Sequence, residues 1–246
     1  MQTFYFTDPG KVRSHNEDSV TIISNEYNDF ILAIADGMGG HKAGEVASSI
    51  TIDHITKSFY KLEKMGTKDD TIDWLRNIVK EINDKIFKYA KKNPESKGLG
   101  TTLVIAIKTE DYILYGNIGD SSGYVIKNNI LHKVTKDHNY ANMLIKSGNL
   151  TEEEAKTHRS RNILTRALGA YNPIEIDIFD VDTSVKGLFL CSDGLTNMLT
   201  NEQIEKILNS DLEIEEAVVK LIRKANSRGG TDNISIAYLK KESGES

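Results

Sequence analysis

The sequence predicts an α+β fold of layered, mainly antiparallel sheets flanked by helices, and three observations carry that expectation. Nine short apolar or alternating runs read as strands. Three longer segments repeat their apolar residues at helical spacing instead. The two kinds do not alternate: two helices follow the third strand, then strands succeed one another, then comes a polar helical stretch over about 138–158, then strands and helices again. A doubly wound parallel sheet requires regular strand–helix alternation, so it does not describe this chain.

The elements follow in order. "TFYFTD", "DSVTIIS" and "FILAIAD" are the first three strands. The first helix follows, with Ala43, Val46, Ala47, Ile50 and Ile55 on one face. The second carries Ile72, Leu75, Val79, Ile82, Ile86 and Ala90, with Asp69 or Asp70 placed to cap its start. "TTLVIAIK", "YILYGNIG" and "SGYVIKN" are the next strands, and "IEIDIFDV" and "GLFLCSD" two more. Thr151 with Glu154 and Thr200 with Gln203 have capping-box spacing and announce two short helices. The last long helix has Ile214, Ala217, Val218, Leu221, Ile222 and Ala225 on one face, and "NISIAYLK" closes the set as a strand.

The chain of 246 residues has three prolines and no Ser/Gly linker, so one domain over 1–240 and a frayed tail at 241–246 are expected. A net charge of -5 and a pI near 5.7 argue against nucleic-acid binding through a broad basic surface. The single cysteine, Cys191, excludes an internal disulfide and a Cys-rich zinc site, and its apolar surroundings read as core. No apolar run approaches the ~20 residues of a membrane span, and the start lacks the pattern of a signal peptide, so a cytoplasmic protein without membrane insertion is expected.

Four acidic residues share one context. Asp36 ends "FILAIAD" and meets a bend with glycines at 37, 39, 40 and 44. Asp120 and Asp193 follow apolar strands, and Asp232 opens one, each beside Gly, Ser or Thr. One Asp before Gly reads as a turn former. Four at strand ends, with small neighbours that permit close backbone approach, point to a common cleft. Two unit charges ~4 Å apart repel by about 4 kcal/mol at an effective dielectric of ~20. Converging carboxylates therefore either protonate or hold cations. Hard oxygen donors without Cys or a His-x-x-x-His pair suit Mg²⁺ or Mn²⁺, and the Gly37 carbonyl is open to act as a further ligand. Arg13 precedes the cluster Asn16, Glu17, Asp18, and a guanidinium can hold two phosphate oxygens. The competing reading is a solvated turn with ion pairs.

The motifs "GKVRSHNED", "IADGMGGHKAGEVAS", "GLGTTLV", "GNIGDSSGY", "TKDHN", "RNILTRALG", "CSDGL" and "GGTDNIS", in that order, resemble the metal-dependent type 2C serine/threonine protein phosphatases, specifically their bacterial branch. The resemblance covers nearly the whole chain. It implies a four-layer α-β-β-α sandwich with a binuclear metal centre in a cleft at one end. By that likeness Asp36 bridges two tightly bound Mn²⁺ or Mg²⁺ ions, the Gly37 carbonyl binds the first, and Asp193 and Asp232 bind the second. Asp120, with Asp193, matches the ligands of a third, weaker ion; Glu17 and Asp18 match positions that hold metal-bound waters; Asn233 orients Asp232. The implied chemistry is direct hydrolysis without a phosphoenzyme, with Arg13 on the phosphoryl oxygens and a metal-activated water attacking phosphorus.

Two positions depart from relatives. Met38 stands where many eukaryotic members have His, a candidate general acid; His41 is the nearby alternative for proton transfer, beside a metal-bound water. Arg159 stands where many bacterial members have Pro. The segment 138–165 matches the family's flap, and Arg159, Arg161 and Arg166 offer charge for gripping a phosphopeptide, Arg161 being the chosen candidate; a solvated helix and loop is the plainer reading. Partners implied are phosphorylated proteins and a cognate transmembrane Ser/Thr kinase, with the phosphatase a monomer. A nucleotide loop fails on spacing, since Gly39 and Gly44 are followed by Glu45 rather than Lys. A degenerate binding module is disfavoured because Asp36, Asp193 and Asp232 are all intact. A metal phosphoesterase acting on nucleotides is the remaining rival.

Overall fold

The central strands are apolar on both faces because each sheet lies between two cores. The structure is a computed structural model that describes residues 1–39, 43–96, 98–160 and 162–241. Among these, β1 (Gln2–Asp8), β2 (Asp18–Ser24) and β3 (Phe30–Met38) precede α1 (Ala43–Phe59) and α2 (Lys68–Lys92). Then come β4 (Gly100–Thr101), β5 (Leu103–Lys108), β6 (Ile113–Ile118), β7 (Ser122–Lys127) and β8 (Ile130–Lys133). The short helices α3 (Tyr140–Lys146) and α4 (Glu152–Thr157) lead to β9 (Asp177–Val181) and β10 (Gly187–Cys191). The chain closes with α5 (Asp193–Thr196), α6 (Asn201–Leu208), α7 (Ile214–Ser227) and β11 (Ile234–Lys240).

One sheet has the order β1-β11-β10-β7-β8; the other runs β2-β3-β5-β6-β9, with β4 on β3, and the pairings are antiparallel. Side chains alternate across a strand, and the alternation divides them between cores. In β3, Ile31 and Ala33 join the cluster under α1 and α2, while Leu32 and Ile34 face the other sheet. β5 splits likewise, Leu103, Ile105 and Ile107 against Val104 and Ala106. On the second sheet Phe189, Ile236 and Tyr238 meet α6 and α7, and Leu188, Leu190, Ala237 and Leu239 meet the first sheet. Three stacked cores make an α-β-β-α sandwich, the expected class.

Several local expectations are refined. Thr67, not Asp69 or Asp70, caps α2; Asp70 is the reciprocal partner, its carboxylate accepting from the Thr67 backbone N–H at 3.0 Å. Thr151 caps α4 with Glu154 reaching back at 2.8 Å, and Gln203 reaches the Thr200 N–H at 3.3 Å. "IEIDIFDV" is a strand only from Asp177, the residue at which its pairing with β6 begins, opposite Asn117. The hairpin β7–β8 is a strand pair the periodicity missed: Asn128 and Asn129 turn the chain with φ of 53° and 63°, the left-handed pair a two-residue hairpin needs. Cys191 is buried in the core under α6 and α7, as expected.

Candidate metal centre and phosphate site

The acidic residues gather at the edge shared by the two sheets. Asp18 and Asp36 are direct cross-strand partners, from the start of β2 and near the end of β3. The backbone of Asp36 is clamped by the Gly-Thr-Thr motif: its N–H donates to Thr102 Oγ1 at 3.0 Å, and its carbonyl accepts from Thr101 Oγ1 at 2.8 Å and Thr102 N–H at 2.9 Å. Gly37 follows because the chain there touches two neighbours. A Cβ at that position would lie 2.3 Å from the Gly44 carbonyl oxygen and 2.5 Å from that of Glu17.

Asp193 begins α5 directly after β10, and Asp232 precedes β11, so adjacent antiparallel strands deliver both from neighbouring ends. Gly194 lets those ends meet, since a Cβ would stand 2.0 Å from the Asn233 carbonyl oxygen. Ser192 ties the group together. It donates to Asp18 Oδ2 at 2.8 Å and accepts the Ser235 N–H at 2.9 Å. Asn197 holds Asp193 Oδ2 at 3.0 Å. Asp120 follows β6, and the loop before it is pinned by His138, whose Nδ1 accepts the Gly119 N–H at 3.1 Å while Nε2 contacts Asp177 Oδ2 at 3.0 Å.

Electrostatics show that these groups share one field. Burial, then the charges of Asp18, Asp193, Asp120 and Asp232, hold the Asp36 carboxyl well above the usual range. Burial pushes Asp18 up to about 7, against hydrogen bonds from Ser235 and Ser192 and with Asp193 and Asp232 adding to the rise. Burial and Asp193 push Asp120 to about 8; burial and Asp232 push Asp193 to about 6. Like charges in a low dielectric disfavour one another's ionised form. Cations answer them: Arg13 donates to Asp232 Oδ2 at 2.9 Å, and the charge of Lys133 draws Asp120 down.

Comparison with known proteins decides the family. The family model for protein phosphatase 2C matches residues 11–232. The chain belongs to the protein phosphatase 2C family. A serine/threonine phosphatase of Listeria monocytogenes is 38% identical over 243 residues, 98% of this chain and 96% of the relative. The serine/threonine phosphatase of S. agalactiae superposes with a TM-score of 0.92 at 34% identity, covering 98% of this chain and 99% of that one. Serine/threonine phosphatase Stp1 of Staphylococcus aureus gives 0.91 at 37%, covering 98% and 95%.

The phosphatase has residues suited to the divalent ions on which its family depends. The donors are all oxygen, the preference of hard cations. Asp18 Oδ1 is buried without a hydrogen-bond partner among the described residues, and a buried unpaired carboxylate oxygen calls for a partner. As the side chains lie, no three acidic, imidazole or thiol groups among the described residues are placed to hold one ion, and Asp232 leans on Arg13.

Of the residues singled out in the sequence, Asp36, Gly37, Asp120, Asp193, Asp232, Arg13, Glu17 and Asp18 meet at this end of the sandwich through the contacts above. Glu17 has a raised carboxyl, chiefly from burial, and its carbonyl accepts the Gly37 N–H at 3.1 Å. Asn233 touches Asp232 through its backbone N–H at 2.9 Å. Its side chain does something else, holding the loop before β2 by the Glu17 N–H and the carbonyls of Pro9 and His15. Met38 packs toward Gly100 and has no proton to give. His41 and Arg161 lie outside the described residues. Arg159 is exposed, whereas Arg166 is turned to Asp177 Oδ1 at 2.5 Å and the Glu175 carbonyl, so it is engaged rather than free to grip a peptide. Sequence reading missed Ser192, Thr101, Thr102 and Asp177 as supports. A Ser directly before Asp193 and the paired Thr after Gly100 were the available signals; Asp177 had none.

Proposed function

We propose that the phosphatase hydrolyses phosphoserine and phosphothreonine in proteins by direct attack of water on phosphorus, without a phosphoenzyme. Asp36, the Gly37 carbonyl, Asp193 and Asp232 would hold two Mn²⁺ or Mg²⁺ ions, and Asp120 with Asp193 a weaker third. Bound there, the ions would supply an acidified water and offset phosphoryl charge. The observation that carries this reading is the placement of Asp18 opposite Asp36 and beside the Ser192–Asp193 and Asp232–Asn233 strand ends, with Asp18 Oδ1 buried and unpaired among the described residues.

The chain's own residues then divide the work. Arg13 is exposed and, among the described residues, bound at one carboxylate oxygen, so its guanidinium can exchange Asp232 for two phosphoryl oxygens. Glu17 and Asp18 would hold waters beside the ions, with buried Asp18 fixed by Ser192. Asn233 keeps the Arg13 loop in place by its bonds to Pro9, His15 and Glu17. The flap, its two ends joined where Asn139 bridges Leu164, contacts the peptide, with Arg161 as the gripping residue.

Residues 1–240 would act as one cytoplasmic, monomeric catalytic domain opposing a transmembrane Ser/Thr kinase. No helix among the described residues is long and apolar enough to cross a membrane. The deciding experiment is hydrolysis of a phosphothreonine peptide with Mn²⁺, with Mg²⁺ and with chelator, using Asp36→Asn as control. Metal-dependent release of phosphate, lost in the variant, is expected; turnover of nucleotides in preference to peptides would favour the rival phosphoesterase.

A further inference from the structure

A groove of about 540 Å³ lies between α6 and α7, lined on one side by Lys206 and Ser210 and on the other by Lys220, Arg223 and Lys224, with buried Ile207 between them. Its four charged residues are all cations, on a chain whose net charge is -5. Lys220, Arg223 and Lys224 are spaced i, i+3, i+4, so they share one face of α7 while Leu221, Ile222 and Ala225 point into the core. Among the described residues none of the four makes an ion pair. Acids nearby in sequence do not quench them. Glu205 is turned to accept the Leu131 N–H at 2.7 Å, and Glu216, one turn before Lys220, makes no ion pair with it.

Repelling cations in a concave site favour an anion, and the lining says which kind. It has no aromatic ring on which a nucleobase could stack. It has no exposed aliphatic or aromatic side chain to enter a lipid layer. What remains is a polypeptide with clustered negative charge. The groove ends at Ser227, five residues before Asp232, and five residues span at most about 18 Å. An extended peptide reacting at the metal centre can therefore reach it. We propose that this groove docks an acidic or multiply phosphorylated stretch of the protein substrate, lying roughly 6–10 residues from the reacting phosphoresidue. The proposal rests on the phosphatase reading above and adds to it a substrate class.

The test uses two phosphothreonine peptides of equal length, one with three glutamates about eight residues from the phosphothreonine and one with glutamines there. The full chain should show a KM lower by roughly tenfold for the acidic peptide. Lys220→Gln/Arg223→Gln/Lys224→Gln and the matching triple glutamate variant should abolish that preference, leaving kcat and the turnover of p-nitrophenyl phosphate unchanged. Unaltered thermal melting verifies folding. Binding of the same peptides to Asp36→Asn, read by fluorescence anisotropy, separates the two readings. If no peptide is hydrolysed but the acidic one still binds through the three cations, the docking site stands and the catalytic reading falls. Equal KM and equal binding for both peptides would overturn the proposal, as would a preference retained by the triple variants. Capture of phosphatidylglycerol vesicles without discrimination between the peptides would also overturn it, in favour of a membrane surface.

Discussion

Raising the pH in the presence of chelator should destabilise the metal-free phosphatase. Asp18 goes from a value near 3.8 in the unfolded chain to about 7 in the fold, and Asp120 from 3.8 to about 8. A group whose acid form is favoured by folding binds more protons folded than unfolded between those limits. Stability therefore falls as pH rises through that window, and the penalty is complete above the folded value. At about 1.36 kcal/mol per unit the full penalty at buried Asp18 is on the order of 4 kcal/mol. Most of it is already incurred below about pH 6.5; between about 6.5 and 8 Asp18 and Asp120 each add on the order of 1 kcal/mol. His54 and His138, held below their ordinary value chiefly by burial, act in the opposite sense. They bind fewer protons in the fold than in the unfolded chain near pH 6.5, which offsets part of the loss as pH rises. Asp36, held well above its usual range, adds to the loss, so the net effect is on the order of 2 kcal/mol, or roughly 4–8 °C in melting temperature for a chain of this size. Differential scanning fluorimetry in chelator at the two pH values measures it. Asp36→Asn should melt higher at pH ~8 and depend less on pH, and excess Mn²⁺ should flatten or reverse the trend, because cations favour the ionised carboxylates. A metal-free protein whose melting temperature is flat or rises over this range would refute a shared carboxylate field.

Three further outcomes are expected. Gly37→Ala forces a Cβ to within 2.3 Å of the Gly44 carbonyl oxygen; it should cost about 1–3 kcal/mol in urea unfolding and raise the Mn²⁺ needed for half-maximal activity. Arg13→Ala should lower kcat/KM for an aryl phosphate by roughly 10–100-fold, the worth of a hydrogen bond to a charged group, and near-native turnover would remove Arg13 from the phosphate site. His138→Ala strands the Gly119 N–H beside Asp120, so it should cost about 1–3 kcal/mol of stability and weaken the Mn²⁺ response more than it changes peptide KM; a loss of stability with an unchanged metal titration would leave His138 a purely structural residue.

What the sequence determined by itself is what short-range chemistry encodes. Apolar runs such as "FILAIAD" and "GLFLC" marked strands because alternate side chains feed two cores, and both cores are apolar. Thr151–Glu154 marked a helix start because a cap closes within one turn. Asp36, Asp120, Asp193 and Asp232 were legible as candidates from their strand-end settings and the order of motifs around them. The hairpin at Asn128–Asn129 escaped because β8 has only Leu131 buried and shows no clear alternation.

Tertiary structure alone decided which groups meet. Ser192 reaches Asp18 across 174 residues, Asn233 reaches Glu17 across 216, and His138 finds Asp177 across 39. Such pairings depend on which strand edges lie side by side, and that is set by the packing of whole sheets rather than by any local pattern. The diversion of Asn233 to the Pro9–Glu17 loop and of Arg166 to Asp177 follows for the same reason: a side chain's partner is the nearest unsatisfied group once the layers have closed, wherever it stands in the chain.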